Sequence, residues 1–357
     1  MVVLGTRPEI VKLAHITRIL GDDGALVHTG QHYDPGLSDS FFEQLNLPEP
    51  EVFLEIGGES RGRQIGLAVT ALDQVFGERR PAAVVVQGDT NTVLAAALAA
   101  NAREVPIVHV EAGLRSNDRR MPEEHNRVVT DHLADLLLAP TETSRANLLA
   151  EGIPDERIVV TGNTVVEAVG ELMPDAEERR ALAASFGVDP GRFVLSTFHR
   201  PENVDDPDVL ESILVELAAL PFPVLLPLHP RAVERVASAG LGSLLDRVKV
   251  VEPIGYREFL GLGAESAFLV SDSGGVQEEV SVYKRPVLVV RRSTERPEVI
   301  GTFAERVDPG PDISRVASEW AADLAAVHSR LADTPSPYGD GSASQRSVDA
   351  IRNMIDA

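Results

Sequence analysis

Short runs of Val, Leu, Ile and Ala recur along this chain from end to end, separated by amphipathic segments of helix length. In the first half they are Val2–Gly5, Ala25–Thr29, Ala83–Gln87, Pro106–Val110, Asp135–Ala139 and Ile158–Thr161. In the second half they are Phe193–Thr197, Val224–Leu228, Val248–Glu252, Ala267–Ser271 and Val287–Val290. Apolar and polar residues do not alternate within a run, so both faces of each strand must be covered. That is the mark of parallel strands in βα units. At 357 residues the chain is too long for one ordinary core. The expected fold is α/β: two Rossmann-like, doubly wound parallel-sheet domains facing a cleft.

The polar stretch Glu167–Arg192, with Pro174, Asp175 and the run Glu177-Glu178-Arg179-Arg180, breaks the pattern and marks the join. We therefore expect a first domain over residues 1–168 and a second over 169–339. The segment Thr334–Ser347, rich in Pro, Gly and Ser, leads to a short helix, and a tail over 340–357 is expected to pack back on the first domain.

Composition narrows the function. A net charge of -22 argues against a nucleic-acid partner, which needs clustered Lys and Arg. A site for a diphosphate must then concentrate its cations locally, and Lys12 is one of only three lysines, with Lys249 and Lys284. The absence of cysteine excludes disulfides, thiolate metal sites and cysteine nucleophiles. The chain begins with a β-like run followed by Arg7 and Glu9, which is not a signal-peptide layout. Its longest bland stretch, Thr92–Ala102, is about half of the roughly 20 residues a membrane span needs. The expectation is a cytoplasmic protein with no membrane partner.

Ligands of open α/β sheets sit at the carboxyl ends of strands. The first such turn, Gly5-Thr6-Arg7-Pro8-Glu9, opens a helix carrying Lys12, and combines a helix N-terminus with two cations. It is not G-x-G-x-x-G, so no dinucleotide cofactor is indicated. A second phosphate-type turn, Ser271-Asp272-Ser273-Gly274-Gly275, leads into Val276-Gln277-Glu278-Glu279. Its glycines permit close backbone approach, and Glu279 is placed to accept bonds from a ribose diol; helix-dipole complementarity would explain the glutamates equally well. After the last strong run, Arg296 in Thr294–Glu298 either neutralises a diphosphate or pairs with Glu295 or Glu298.

Three acidic clusters close first-half strands or open helices: Gln87–Thr90 with Asp89, His109–Gly113 with Glu111, and Pro122-Glu123-Glu124. Carboxylates at neighbouring strand ends suit general acid–base work, or a Mg²⁺ site. Taken singly, Glu123 and Arg127 are spaced as a helical ion pair and Asp89 as the cap of the next helix. His199-Arg200-Pro201-Glu202-Asn203 and His229-Pro230 each end a second-half strand.

Together these motifs, in this order, resemble the non-hydrolysing UDP-N-acetylglucosamine 2-epimerases, a family with the two-domain GT-B fold. The likeness also includes Thr29-Gly30-Gln31-His32, His109–Arg115, Met121–Glu124 with Asn126-Arg127, and Thr161-Gly162-Asn163, and spans nearly the whole chain. It implies cofactor-free interconversion of UDP-GlcNAc and UDP-ManNAc, through elimination of UDP, a 2-acetamidoglucal intermediate and re-addition. By that likeness Asp89, Glu111 and Glu123 match the acid–base carboxylates, with their faces unassigned, and His199 the family's essential histidine. Arg7, Lys12, His229, Phe259, Ser273, Gly274, Gly275, Glu279 and Arg296 match UDP-sugar contacts; Ile254 replaces a polar residue of some relatives.

Some bacterial members bind a second UDP-GlcNAc as activator, and Gln31, His32, Arg63 and Gln64 resemble parts of that site. Asp34, however, stands where those members carry a side chain such as Gln, and Gln31–Asp34 is closer to the archaeal branch. No metal is implied, and a homodimer is the default assembly. Other chemistries open to such a fold are epimerisation of a UDP-diacetamido sugar, glycosyl transfer to an acceptor, and hydrolytic epimerisation releasing UDP. The carboxylate count in the first half weighs against transfer.

Overall fold

The computed structural model describes residues 1–31, 41–228 and 230–356, and the chain divides into two compact units. The first comprises Met1–Gly170 with Tyr338–Ala357, the second Glu171–Pro337. Every named strand in both is parallel to its neighbours, as the uninterrupted apolar runs require.

In the first unit the strands are β1 (Val2–Leu4), β2 (Leu26–His28), β3 (Val52–Phe53), β4 (Val84–Gln87), β5 (Ile107–Val110), β6 (Leu136–Ala139) and β7 (Ile158–Val160), in the order β3-β2-β1-β4-β5-β6-β7. The chain works outward from β1 to β3, then starts again at β4 and works outward to β7. The reversal therefore falls between β1 and β4, and the carboxyl ends flanking such a reversal are where open α/β sheets take ligands.

The core is built from Val, Leu, Ile and Ala, with Phe76 as a rare ring. The bland stretch noted in the sequence is the helix Asn91–Ala102, whose Ala95, Ala96, Ala97, Ala99 and Ala100 are all buried. Small side chains let it pack closely against both the helix Arg61–Arg79 and the sheet. No described helix is long and apolar enough to cross a membrane. The final helix, Ala343–Asp356, lies against the helix Arg7–Leu20 and buries Val348 and Ile351.

The second unit repeats the plan with β8 (Val194–Thr197), β9 (Val224–Pro227), β10 (Lys249–Val251), β11 (Phe268–Ser271), β12 (Val287–Val290) and β13 (Ala304–Val307), in the order β10-β9-β8-β11-β12-β13. Its reversal falls between β8 and β11. Two strands were not legible as runs. β3 is only two residues long, and β13 is an edge strand whose Glu305 and Arg306 face water.

Candidate active site

At the reversal of the first unit, Gly5 leaves β1 where no side chain fits: a Cβ there would lie 2.1 Å from Thr29 Oγ1 and 2.3 Å from Thr92 Oγ1. The helix Arg7–Leu20 follows at once. Arg7 is exposed on its first turn, whereas Glu9 and Lys12 are buried. Lys12 forms an ion pair with Glu111, just beyond β5. The same Glu111 carboxylate accepts bonds from Gln87 Nε2 at 3.1 Å and Asn163 Nδ2 at 3.3 Å. Its backbone sits at φ 67°, the left-handed region that costs a non-glycine residue about 1–2 kcal/mol. The conformation is held because Glu111 and Ala112 N–H both donate to the Leu138 carbonyl, at 3.0 and 3.1 Å. Strain of this kind gathers at functional positions.

Asp89 and Glu124 share one cation, the buried guanidinium of Arg127. Glu124 also accepts from Ser116 N–H (3.0 Å), Ser116 Oγ (2.9 Å) and Asn117 N–H (2.8 Å). Burial pushes its carboxyl upward, but those donors and Arg127 outweigh it and hold Glu124 below the usual range. The side chain of Glu123, half-buried beside it, makes no hydrogen bond or ion pair with any other described residue. The spacing-based reading of Glu123 with Arg127 is thus corrected, because Arg127 turns to Glu124 and Asp89. Nor does Asp89 cap the next helix; Thr90 does, accepting from Val93 N–H at 3.3 Å.

Beneath these groups lies a buried network that strand-end reasoning missed. His109, on β5, faces Asp131 through Nδ1 (2.6 Å) and the Gly88 carbonyl through Nε2 (2.8 Å). Arg115 reaches the other oxygen of Asp131 at 2.7 Å. Burial would raise Asp131, yet His109 and Arg115 keep it low. Among the described residues no group of three or more His, Asp or Glu side chains is arranged to hold a metal. Glu111, Glu124 and Asp131 are each paired with a cation: Lys12, Arg127 and Arg115.

Gln31 and Gln64, matched by resemblance to an activator site, serve local structure here. Gln31 Oε1 accepts from Thr92 N–H (2.8 Å) and Oγ1 (2.9 Å), and Gln64 donates to the Gln31 carbonyl at 3.3 Å and accepts from Asn91 at 2.7 Å. Arg63 is exposed and pairs with Glu59 at 2.9 Å. His32, Asp34 and, in the second unit, His229 lie outside the described residues.

In the second unit, Asp272 occupies the reversal between β8 and β11. Wholly buried, it accepts from the N–H groups of His199 (3.1 Å) and Arg200 (3.0 Å) and from Asn203 Nδ2 (3.0 Å), and holds His199 Nδ1 at 3.0 Å. Burial opposes its charge, but these donors lower it overall. The His199 ring is thereby oriented with 60% of its side chain exposed. Asp272 lies within the Ser271–Gly275 motif, yet nothing in the sequence tied it to His199.

Ser273 caps the helix Gly274–Tyr283. A Cβ on Gly274 would meet Arg296 Nη1 at 2.8 Å, so the guanidinium lies directly against that helix start. Arg296 pairs with Glu295 and, at 2.7 Å, with Glu278. The sequence allowed Glu295 or Glu298; the structure pairs Arg296 with Glu295 and adds Glu278. Arg291, itself buried, grips Glu295 at 2.7 Å, and Arg200 approaches it at 3.9 Å. Arg200, Arg291 and Arg296 thus gather around Glu295, and Arg296 also around Glu278. Glu279 accepts from the Tyr256 hydroxyl at 2.9 Å, and burial plus that carboxylate push the phenol well above its usual range, so it remains a donor. Phe259 is half-buried one turn further along the helix Tyr256–Glu265.

Two parallel doubly wound sheets, each with charged groups gathered at its reversal, define a GT-B-like α/β protein. A family model described as UDP-N-acetylglucosamine 2-epimerase matches residues 21–352. The UDP-N-acetylglucosamine 2-epimerase of Methanocaldococcus jannaschii is 40% identical over 360 residues, 97% of each chain. The UDP-2,3-diacetamido-2,3-dideoxy-D-glucuronate 2-epimerase of Pseudomonas aeruginosa is 36% identical over 99% of each. The crystal structure of the M. jannaschii UDP-GlcNAc 2-epimerase in complex with UDP-GlcNAc and UDP superposes with a TM-score of 0.87, at 38% identity and 99% coverage of both chains. The chain belongs to the UDP-N-acetylglucosamine 2-epimerase family.

Proposed function

We propose that this protein interconverts UDP-GlcNAc and UDP-ManNAc without a redox cofactor, by eliminating UDP to a 2-acetamidoglucal and adding it back on inversion of C2. The observation that carries this reading is the set of carboxylates at the first unit's reversal: Glu111 gripped by Lys12, Asp89 gripped by Arg127, and Glu123 making no ion pair among the described residues. The C2 proton of a 2-acetamido sugar is weakly acidic, so its removal must be coupled to departure of the diphosphate. Carboxylates in different electrostatic settings suit removal on one face and return on the other. Asp89, Glu111 and Glu123 are the candidates for that exchange, and His199, oriented by Asp272, is a further candidate at the sugar.

Arg7, Lys12, Arg296 and the N–H groups opening the helix Gly274–Tyr283 are the candidates to meet charge developing on the leaving UDP. Glu279 would take the ribose and Phe259 the uracil. A second reading is favoured by one observation. The P. aeruginosa relative, 36% identical end to end, is named for a diacetamido uronate nucleotide, so the sugar here is the finer question.

Incubation with UDP-GlcNAc in D₂O, followed by NMR, tests both. Deuterium at C2 with UDP-ManNAc appearing is expected. Net accumulation of UDP would indicate hydrolysis, and absence of exchange with this donor alone would move the assignment to the diacetamido sugar. Asp89→Asn should abolish exchange while UDP still binds, and unchanged turnover would remove Asp89 from the chemistry.

A further inference from the structure

Glu9 is a carboxylate the reaction above does not use, yet it is only 1% exposed at the third position of the helix Arg7–Leu20. An acidic residue there would complement the helix dipole equally well from the surface, whereas burying it is costly unless its oxygens are satisfied. They are. Oε2 accepts from Gly5 N–H at 3.0 Å and Thr6 Oγ1 at 2.7 Å, closing the turn after β1. Oε1 accepts from Thr90 Oγ1 at 2.9 Å, on the neighbouring turn after β4. Thr90 adjoins Asp89 and caps the helix Asn91–Ala102. The other anchors of that turn come from elsewhere: His109 on the Gly88 carbonyl, Asn126 on the Asp89 carbonyl at 2.8 Å, and Arg127 on the Asp89 side chain. Glu9 ties it to the β1 side. One turn further along the same helix, Lys12 holds Glu111 after β5.

We propose that Glu9 is a positioning residue, which through Thr90 sets the Asp89 turn in register with the turn carrying Arg7 and Lys12. The opening two turns of one helix thereby space the β4 turn through Glu9 and the β5 turn through Lys12. The inference rests on the reading of Asp89 as a proton-handling group. Burial lifts the Glu9 carboxyl to about 7, which fits a group whose position is fixed by donors and not by a counter-ion.

The test follows C2 deuterium exchange in Glu9→Ala, Glu9→Gln, Thr90→Ala and Thr90→Ser, and in the Glu9→Ala/Thr90→Ala pair. A displaced reacting group typically costs about 10- to 100-fold in rate, and the two alanine variants should each lose that much in kcat, with KM within about threefold. Glu9→Gln keeps an oxygen for Gly5 and Thr6, and the Thr90 hydroxyl can reverse to accept from its amide. It should recover to within about threefold of the parent, as should Thr90→Ser. The double variant should lose clearly less than the product of the two single losses, because the Glu9–Thr90 bond is already lost in each. Losses that multiply, or Thr90→Ala turning over like Thr90→Ser, would overturn the proposal. If Glu9→Ala does not fold, the Thr90 comparison decides alone. A parent protein without C2 exchange would instead count against the reaction itself.

Discussion

Adjacent glutamates in one helical turn have opposite surroundings here. Glu124 is locked by two backbone N–H groups, a hydroxyl and Arg127, while Glu123 makes none of these bonds. Removing the charge of Glu124 would leave a buried guanidinium half-neutralised. Glu124→Gln should therefore cost roughly 2–4 kcal/mol in urea unfolding. Glu123→Gln should stay within about 0.5 kcal/mol of the parent and instead slow C2 exchange; the reverse pattern would exchange their roles. Glu9 makes a second prediction at this scale. Its carboxyl is raised from 4.5 to about 7 by burial, so the folded protein holds a proton that the unfolded chain has already released. The stability this contributes is fully present below pH 4.5 and is lost as pH rises through about 7. It amounts to roughly 3 kcal/mol at most. Glu9→Gln should flatten the stability profile between those limits, and an unchanged profile would rule out this titration.

The turns themselves depend on space as much as on charge. Gly5→Ala would drive a methyl into Thr29 and Thr92, and should destabilise by about 1–3 kcal/mol or cost solubility. Stability within error of the parent would mean that β1 can shift without penalty. At this scale most of the fold was legible, since uninterrupted apolar runs identify buried parallel strands whatever the loops do. β3 and β13 were hidden for physical reasons: one is too short for a pattern, and the other is an edge strand with charged residues facing water. Asp89 and Glu111 could be found because they closely follow strands, and Arg296 because it lies in the loop after β12. Their partners could not. Arg127 lies 38 residues beyond Asp89, and Asn163 lies 52 beyond Glu111. Helix-spacing rules pointed Arg127 at Glu123, because local periodicity says nothing of a carboxylate brought in from the next strand.

For the molecule as a whole, the closing segment is as much a part of the first unit as its strands are. Tyr338 accepts from the Asn163 N–H at 2.8 Å, Ser344 N–H donates to Glu167 at 2.8 Å, and Arg346 donates to the Thr161 carbonyl at 2.7 Å. Asn163 in turn donates to Glu111. Deleting the chain from Ala343 onward would expose Val348, Ile351 and the surface they cover. It should cost at least about 3 kcal/mol of stability, and C2 exchange should fall with it. A truncated protein that unfolds and exchanges like the parent would show the tail to be dispensable.

That arrangement also bears on how such chains can be recombined. The stretch Glu171–Pro337 owns a complete sheet and core and interrupts the first unit, which resumes at Tyr338. It is nested in its host, with one exit point and one re-entry point. A cassette cut at those two points from a relative with a different sugar preference carries the whole Asp272–His199 and Arg291–Glu295–Arg296 assemblies with it, and leaves Glu9, Asp89 and Glu111 in their native setting. Single-crossover chimaeras made within that stretch, by contrast, would divide the second sheet between two parents.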